Sequence, residues 1–260
     1  MVTKKSNKLN RLISEWPRGT VAVSSYLKEQ GFSYELIHAY RNSNWIEPVG
    51  RGAFILRGDK VGWPGALYAL QTQLNLNVHA GGKTALEMKG FAHYISPRRH
   101  KIFLYGKNFQ KLPAWFKKHS WNGQQIIYSA TKLFPDSFDN GLTQFDYSEF
   151  FIQISAPERA VMEMLYFVPI RVTFEEAVLI MENLTSLRPQ LVQSLLANCK
   201  FVKVKRLFMY MAELHGHPWA NQIDTSEIDF GKGKRLIVKN GMLDKKYMIT
   251  VPGKYREEKT

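Results

Sequence analysis

The first sixty residues carry a series of helix and turn signals that strongly limits the possible folds. Apolar residues at helical spacing predict a first helix over residues 4–15, which Pro17 and Gly19 end. We expect Ser24 or Ser25 to cap a second helix, because serine side chains accept hydrogen bonds from free N–H groups at helix starts. The chain therefore begins with two short helices separated by a turn.

A third helix follows at once and has the clearest boundaries. Ser33 is expected to cap a helix over Tyr34–Asn42, and its apolar side would hold Leu36, Ile37 and Tyr40. In a helix-turn-helix, a helix in this position enters the major groove of DNA. The opposite, polar side of this helix is thus the first place to look for a DNA-binding surface.

Two short strands are predicted after the third helix, over residues 45–49 and 53–56. They are joined by Gly50, Arg51 and Gly52, and glycines on both sides of an arginine are typical of a tight hairpin tip. Helices followed by such a hairpin predict a winged helix-turn-helix over residues 1–60.

Residues 61–260 are predicted to form a larger C-terminal domain of mixed α/β structure, with a possible internal boundary near residue 155. Gly58–Gly65 is interpreted as a linker. No regular strand–helix alternation is present, so the expected fold class is α+β. The predicted helices cover residues 66–75, 84–89, 157–166, 174–184, 189–199 and 201–214. The predicted strands cover residues 76–79, 101–105, 125–128, 150–154, 235–238 and 247–251.

The charge of the chain favours a polyanionic partner. The formal net charge is +14, and it is spread as +5 over residues 1–60, +5 over 61–155 and +4 over 156–260. A basic surface along a whole folded chain both attracts and holds nucleic acid, although basic character can also serve solubility alone. Cys199 is the only cysteine, which rules out an intrachain disulfide and fits a reducing compartment.

No membrane or secretory segment is expected. The N-terminus has no apolar core of a signal peptide, and the most apolar stretch, residues 160–170, is too short for a bilayer and contains Glu163 and Pro169. The sequence therefore predicts a cytoplasmic protein.

The predicted DNA-binding residues lie on the third helix, the hairpin tip and the start of the chain. Arginine and asparagine make paired hydrogen bonds to base edges, serine and tyrosine suit phosphates, and Arg51 could reach a minor groove or a phosphate. The candidates are Ser33, Tyr34, His38, Arg41, Asn42, Arg51, Arg18 and Lys8.

Two further basic runs could form a second DNA-contacting surface, because phosphate contacts raise affinity. The alternative is an ordinary solvated face. The residues are Lys203, Lys205, Arg206, Lys232, Lys234 and Arg235.

A glycine-rich segment, Gly81–Thr84, has the strand-to-helix setting of a phosphate-binding loop. The full pattern needs a glycine at position 77, which is Asn77, so a close-packed helix entry is favoured. A phosphate contact to DNA is the intermediate possibility. A nucleotide-binding enzyme with a degenerate loop around Lys83 stays open as the alternative function.

No catalytic or metal-binding pattern is found elsewhere, and no cofactor or metal is predicted. Asp224, Glu227 and Asp229 cluster without the glycine–serine loop of a nucleotidyltransferase. His215 and His217 have no further ligands at metal-site spacing, so they are interpreted as a turn. Cys199 lies on an apolar helix side and is interpreted as a core residue.

Several segments together resemble the AbiEi family of antitoxins, the repressor components of type IV toxin–antitoxin (abortive infection) operons. The segments are residues 40–54, 64–71, 81–87, 155–165, 203–213 and 231–235. The resemblance implies a winged helix-turn-helix with a larger C-terminal domain, and autorepression at repeats in the operon's own promoter. It also implies an antitoxin that opposes a nucleotidyltransferase-like toxin without a stable complex. A module that sequesters the toxin is the remaining alternative.

Overall fold

A computed structural model describes residues 2–92, 101–147 and 149–255, with side chains from residue 8 onward. The N-terminal unit contains three helices and three strands. In chain order these are α1 (Val2–Glu15), β1 (Ala22–Val23), α2 (Ser24–Glu29), α3 (Tyr34–Asn42), β2 (Ile46–Gly50) and β3 (Ala53–Leu56). The strands form an antiparallel sheet in the order β1–β3–β2. This order of elements matches the predicted winged helix-turn-helix.

The N-terminal unit has its own apolar core beneath α3. Its buried residues come from all three helices and from the sheet: Leu12, Trp16, Ala22, Leu27, Phe32, Ile37, Tyr40, Ile46, Phe54 and Leu56. Ser33 caps α3 as predicted, since its Oγ accepts a hydrogen bond from Leu36 N at 3.3 Å. The predicted serine cap of α2 is wrong. The strand β1 runs directly into that helix, so Val23 occupies the cap position and Ser24 N donates to Gly52 O.

The rest of the described chain forms a five-stranded mixed sheet, a small two-stranded sheet and the helices around them. Its elements are α4 (Trp63–Thr72), β4 (Val78–Ala80), α5 (Gly82–Met88), β5 (Lys101–Gly106), α6 (Ala114–Lys118), β6 (Gln125–Ala130), β7 (Leu142–Asp146), β8 (Phe151–Ser155), α7 (Pro157–Tyr166), α8 (Phe174–Glu182), α9 (Pro189–Asn198), α10 (Val202–Leu214), β9 (Met242–Asp244) and β10 (Ile249–Val251). The five-stranded sheet has the order β6–β5–β4–β8–β7. Within it β5 runs parallel to β6 and β4 parallel to β8, whereas β4–β5 and β7–β8 are antiparallel.

The helices α5 and α7 pack against each other, and α10 packs on α7. A second, two-stranded antiparallel sheet of β9 and β10 lies against α10. No helix in the described part of the chain combines the length and the apolar character that crossing a bilayer requires.

The predicted linker is shorter than expected. The helix α4 begins inside it at Trp63, which is buried, and Pro64 occupies the first turn, where proline is favourable. The side chain of Gln73, the residue directly after α4, accepts from Val23 N and donates to Val21 O, at 2.8 and 2.9 Å. The N-terminal unit is thus hydrogen-bonded directly to the body, and the domain boundary near residue 60 stays a prediction.

Four of the helices and strands named above were absent from the sequence prediction: β1, α6, β7 and β9. The strand predicted over residues 235–238 is reduced to a single bridge between Arg235 and Ile249. The missed elements are five residues or shorter, which is too short for hydrophobic periodicity to stand out.

Candidate nucleic-acid interface

The outer side of α3 presents a row of polar side chains. Ile37 and Tyr40 are buried and fix the helix on the core, so the opposite face is turned to solvent. Tyr34 at its first turn is 68% exposed, which is unusual for so large an aromatic residue. The exposed face holds four of the predicted DNA-binding residues: Tyr34, His38, Arg41 and Asn42.

Two of these residues form a pair one helical turn apart. The side-chain amide of Asn42 lies 3.2 Å from Nδ1 of His38 and donates to it. The amide oxygen of Asn42 remains directed away from this bond, as an acceptor. Arg41 is exposed beside the pair. Ser33, in contrast, uses its hydroxyl oxygen as the acceptor that caps α3, and a contact to a phosphate would use the hydroxyl hydrogen instead.

Arg51 is exposed at the tip of the hairpin, where Gly52 has a φ of +77° that suits glycine. The tip lies close to the body of the protein. A side chain at Gly50 would come within 2.8 Å of Cβ of Trp115 on α6, so the missing side chain is what permits this approach. The hairpin is therefore held between α2 and α6.

Lys8 and Arg18 brace the N-terminal unit. Nζ of Lys8 donates to the carbonyl oxygen of Gly31, in the turn before α3, at 3.2 Å. Arg18 pairs with Asp59 at 3.1 Å, and the same carboxylate accepts from Gly19 N. Both cations are exposed, so they have internal partners without being shielded from solvent.

The predicted second basic surface is wrong for its helical half. Lys205 and Arg206 are only 4% and 3% exposed. Nζ of Lys203 donates to the carbonyl oxygens of Tyr166 and Val168 at the end of α7, where helix carbonyls lack internal partners. Charged residues on a helix usually face solvent, but α10 is covered on nearly all sides and these three cations point inward.

Arg206 instead organises the other half of that surface. Its guanidinium donates to the carbonyl oxygens of Phe230, Gly231 and Gly233 at 2.6–2.9 Å. The segment that it holds carries three exposed cations, namely Lys232, Lys234 and Arg235. This exposed segment, residues 231–235, is called the basic loop below.

The glycine-rich segment before α5 is filled by a carboxylate of the protein itself. Glu163 on α7 is 1% exposed, and its Oε2 accepts from Gly82 N at 3.0 Å. A side chain at Gly81 would come within 2.1 Å of that same oxygen. Lys83 is paired with Glu176 at 2.6 Å. The N–H group and the lysine that a phosphate would need are both occupied, so the geometry favours the helix entry over a nucleotide site.

Glu163 is the centre of a buried network that the sequence did not reveal. Its carboxylate also accepts from Ser155, Arg159 and His79 at 2.7–3.0 Å. Burial raises the pKa of Glu163, but the nearby charges of His79 and Arg159 outweigh that effect and hold its pKa below the usual value. The one available signal was a glutamate inside the most apolar stretch of the chain, because such a residue needs internal partners.

The remaining candidate groups have structural roles. His215 and His217 lie 3.0 and 2.8 Å from the carbonyl oxygens of Val178 and Met181 on α8, as expected for a turn. Burial raises the pKa of the Cys199 thiol to about 11, which suits a core residue. The described residues contain no group of three or more His, Cys, Asp or Glu side chains placed to hold a metal ion.

Comparison with known proteins gives two family models that together cover most of the chain. One, described as "Transcriptional regulator, AbiEi antitoxin N-terminal domain", matches residues 5–97. The other, "Transcriptional regulator, AbiEi antitoxin, Type IV TA system", matches residues 99–252. No curated protein matches the chain.

One solved structure has a similar fold over almost the full length. It is the crystal structure of the RV2827C protein from Mycobacterium tuberculosis, with a TM-score of 0.60 and 14% identity, covering 95% of this chain and 90% of that chain. At this identity the similarity shows the fold alone. The family models show more, and by them the chain belongs to the AbiEi family of antitoxins and transcriptional regulators of type IV toxin–antitoxin systems.

Proposed function

We propose that this antitoxin represses its own operon by binding repeat sequences in the promoter. The N-terminal unit acts as the reader: α3 enters the major groove, and the hairpin tip places Arg51 against the backbone or the minor groove. Tyr34, His38, Arg41 and Asn42 contact the DNA from α3. Lys8 and Arg18 contribute charge at the edge of the same unit.

The observation that carries the proposal is the division of α3 into two faces. Its apolar face is anchored by Ile37 and Tyr40, and its other face exposes an arginine and an asparagine one residue apart. These residue types make the paired hydrogen bonds by which guanine and adenine are told apart. The hydrogen bond from Asn42 to His38 restrains the amide, which lowers the entropy cost of a base contact.

The basic loop supplies a second, sequence-independent contact. Lys232, Lys234 and Arg235 are exposed on a segment that Arg206 holds from beneath. Phosphate contacts of this kind raise affinity without reading sequence. The C-terminal part also carries the antitoxin role, in which the protein opposes a nucleotidyltransferase-type toxin without a stable complex.

The test of DNA reading is a gel-shift titration of the full chain on its own promoter and on a scrambled duplex of equal length. Arg41→Ala should weaken promoter binding by roughly 1–3 kcal/mol and leave scrambled binding nearly unchanged. Lys200→Ala, which removes an exposed cation on the body, serves as the charge control. Equal promoter affinity for Arg41→Ala and the wild type would contradict the proposal.

The antitoxin role is tested by co-expression with the neighbouring toxin gene. We expect growth rescue without co-purification of the two chains. Stable co-purification would favour the sequestering module instead, and the absence of rescue would remove the antitoxin assignment for that pair.

A further inference from the structure

The helix α6 lies directly against the wing, although it belongs to the second of the two family-model regions. Trp115 on α6 touches Gly50 at the end of β2, and Trp115 and Phe116 are buried. The next residues, Lys117 and Lys118, are both exposed. They follow Trp115 by two and three positions, so they lie about 3–5 Å farther along the axis of α6, on the sides of the helix that do not face the wing.

Neither of these two lysine side chains makes a hydrogen bond or an ion pair within the part of the chain that the structure describes. Arg18, Lys83 and Lys107, in contrast, each pair with a carboxylate. Unpaired ammonium groups beside the wing raise the local positive potential over about a Debye length, roughly 8 Å at physiological salt.

The sequence around α6 is free of acidic residues over an unusual length. Between Glu87 and Asp136 the chain has no aspartate or glutamate. Its basic residues in that interval are Lys89, Arg98, Arg99, Lys101, Lys107, Lys111, Lys117, Lys118 and Lys132. Lysines at a helix end can be explained by the helix dipole alone, but the dipole does not require the surrounding segment to lack acids. A segment without acidic residues that carries two exposed lysines on α6 fits a phosphate backbone.

We propose that Lys117 and Lys118 form a phosphate-binding extension of the wing, which contacts double-stranded DNA beside the sequence that α3 reads. The inference rests on the proposed DNA-binding function and extends it to a segment outside the N-terminal unit. The contact is to phosphates and carries no sequence information. It also gives the packing of α6 against Gly50 a function, because that packing fixes the lysines relative to the wing.

The experiment compares three full-length variants with the wild type on promoter and scrambled duplexes over a series of salt concentrations. The test variant is Lys117→Ala/Lys118→Ala. The matched control, Lys200→Ala/Lys239→Ala, removes the same charge from exposed positions elsewhere. The third, Lys117→Arg/Lys118→Arg, keeps the charge. Circular dichroism and thermal melting verify that each variant is folded.

We expect the test variant to lose affinity for both duplexes by the same factor. Its log–log salt slope should be shallower by roughly 0.9 per lost contact, and thus by up to about 1.8. The arginine variant should bind as the wild type does. Ethylation interference should identify phosphates on the wing side whose modification blocks binding of the wild type but not of the test variant.

The inference is overturned if the salt slope of the test variant equals that of the wild type, or if the control pair loses as much. Arg41→Ala separates this outcome from failure of the proposed function. If Arg41→Ala loses promoter preference while Lys117→Ala/Lys118→Ala keeps the affinity and salt slope of the wild type, only the proposed α6 contact is contradicted. A wild type that does not prefer its promoter over the scrambled duplex would instead contradict the proposed function.

Discussion

Two segments of this protein place glycines beside a cation, and the structure uses them in opposite ways. In the hairpin, Gly50 admits Trp115 and leaves Arg51 in solvent. Before α5, Gly81 and Gly82 admit Glu163 and Tyr105, and the neighbouring lysine is paired with carboxylates. The first cation is available to a partner outside the protein, whereas the second is neutralised from within.

Glycine next to a cation therefore indicates a close approach of another part of the chain, but it does not identify the group that approaches. In both segments the absent side chain leaves room for another part of the chain, Cβ and the main chain of Trp115 in one and the carboxylate of Glu163 in the other. An anion site for a ligand requires that the N–H groups be free, and around Gly82 they are not.

Removing the internal carboxylate should be the most damaging change. Glu163→Ala leaves Gly82 N, Ser155, Arg159 and His79 without their buried acceptor, so we expect a loss of about 3–5 kcal/mol in the free energy of unfolding. Urea denaturation at neutral pH measures it. Glu158→Ala is the matched control, because its partner Arg188 is 63% exposed and can return to water. If Glu163→Ala lowers the free energy of unfolding by no more than Glu158→Ala does, the carboxylate of Glu163 is not the buried acceptor that stabilises the segment around Gly82.

Filling the space at the second glycine should have an intermediate effect. Gly82 has a φ of +53°, and a Cβ there would lie 2.6 Å from the hydroxyl oxygen of Tyr105. Gly82→Ala should therefore destabilise the protein by about 1–3 kcal/mol. Gly90→Ala provides the comparison, since Gly90 also has a positive φ of +82° but open space around it. Equal losses in the two variants would show that backbone strain alone, and not the approach of Tyr105, accounts for the effect.

The internal carboxylate should also shape the response to acid. The folded-state pKa of Glu163 lies below its usual value, so its contribution to stability is complete above the unfolded pKa of about 4.3 and is lost as the pH falls through the folded pKa. Stability of the wild type should thus decline below about pH 4.5. Glu163→Gln, which cannot ionise, should show a shallower decline in urea midpoints over that range. If the urea midpoints of the wild type and Glu163→Gln fall equally steeply with decreasing pH, Glu163 is not ionised in the folded protein.

The smallest changes in stability are expected at the two cations themselves. Lys83→Ala should cost up to about 1 kcal/mol in unfolding free energy, since its ion pairs are partly exposed, and should leave the DNA-binding salt slope unchanged. Arg51→Ala should change stability by less than about 0.5 kcal/mol but make the salt slope shallower by roughly 0.9. Denaturation and salt-dependent gel shifts on both variants provide the measurements. A shallower salt slope for Lys83→Ala together with an unchanged slope for Arg51→Ala would show that Lys83, and not Arg51, contacts the DNA.

The sequence predicted the N-terminal unit well because its signals are local. Ser33 caps α3 through its own side chain. The helical repeat of 3.6 residues places Ile37 and Tyr40 on one side of α3 and the polar residues on the other. The roles of Arg206 and Glu163 could not be predicted in this way. Most of their partners lie far away along the chain, such as Phe230 at 24 residues from Arg206 and His79 at 84 residues from Glu163. No local pattern distinguishes a buried guanidinium from an exposed one.

Arg206 has a consequence for how binding surfaces in this protein should be mapped. A scan that replaces each basic residue in turn would record a loss at Arg206, because the loop that it supports would lose its shape. The loss would look like a direct contact to a phosphate. Lys232→Ala removes a charge from that loop without disturbing its support, and only a comparison of the two variants separates a scaffold from a contact.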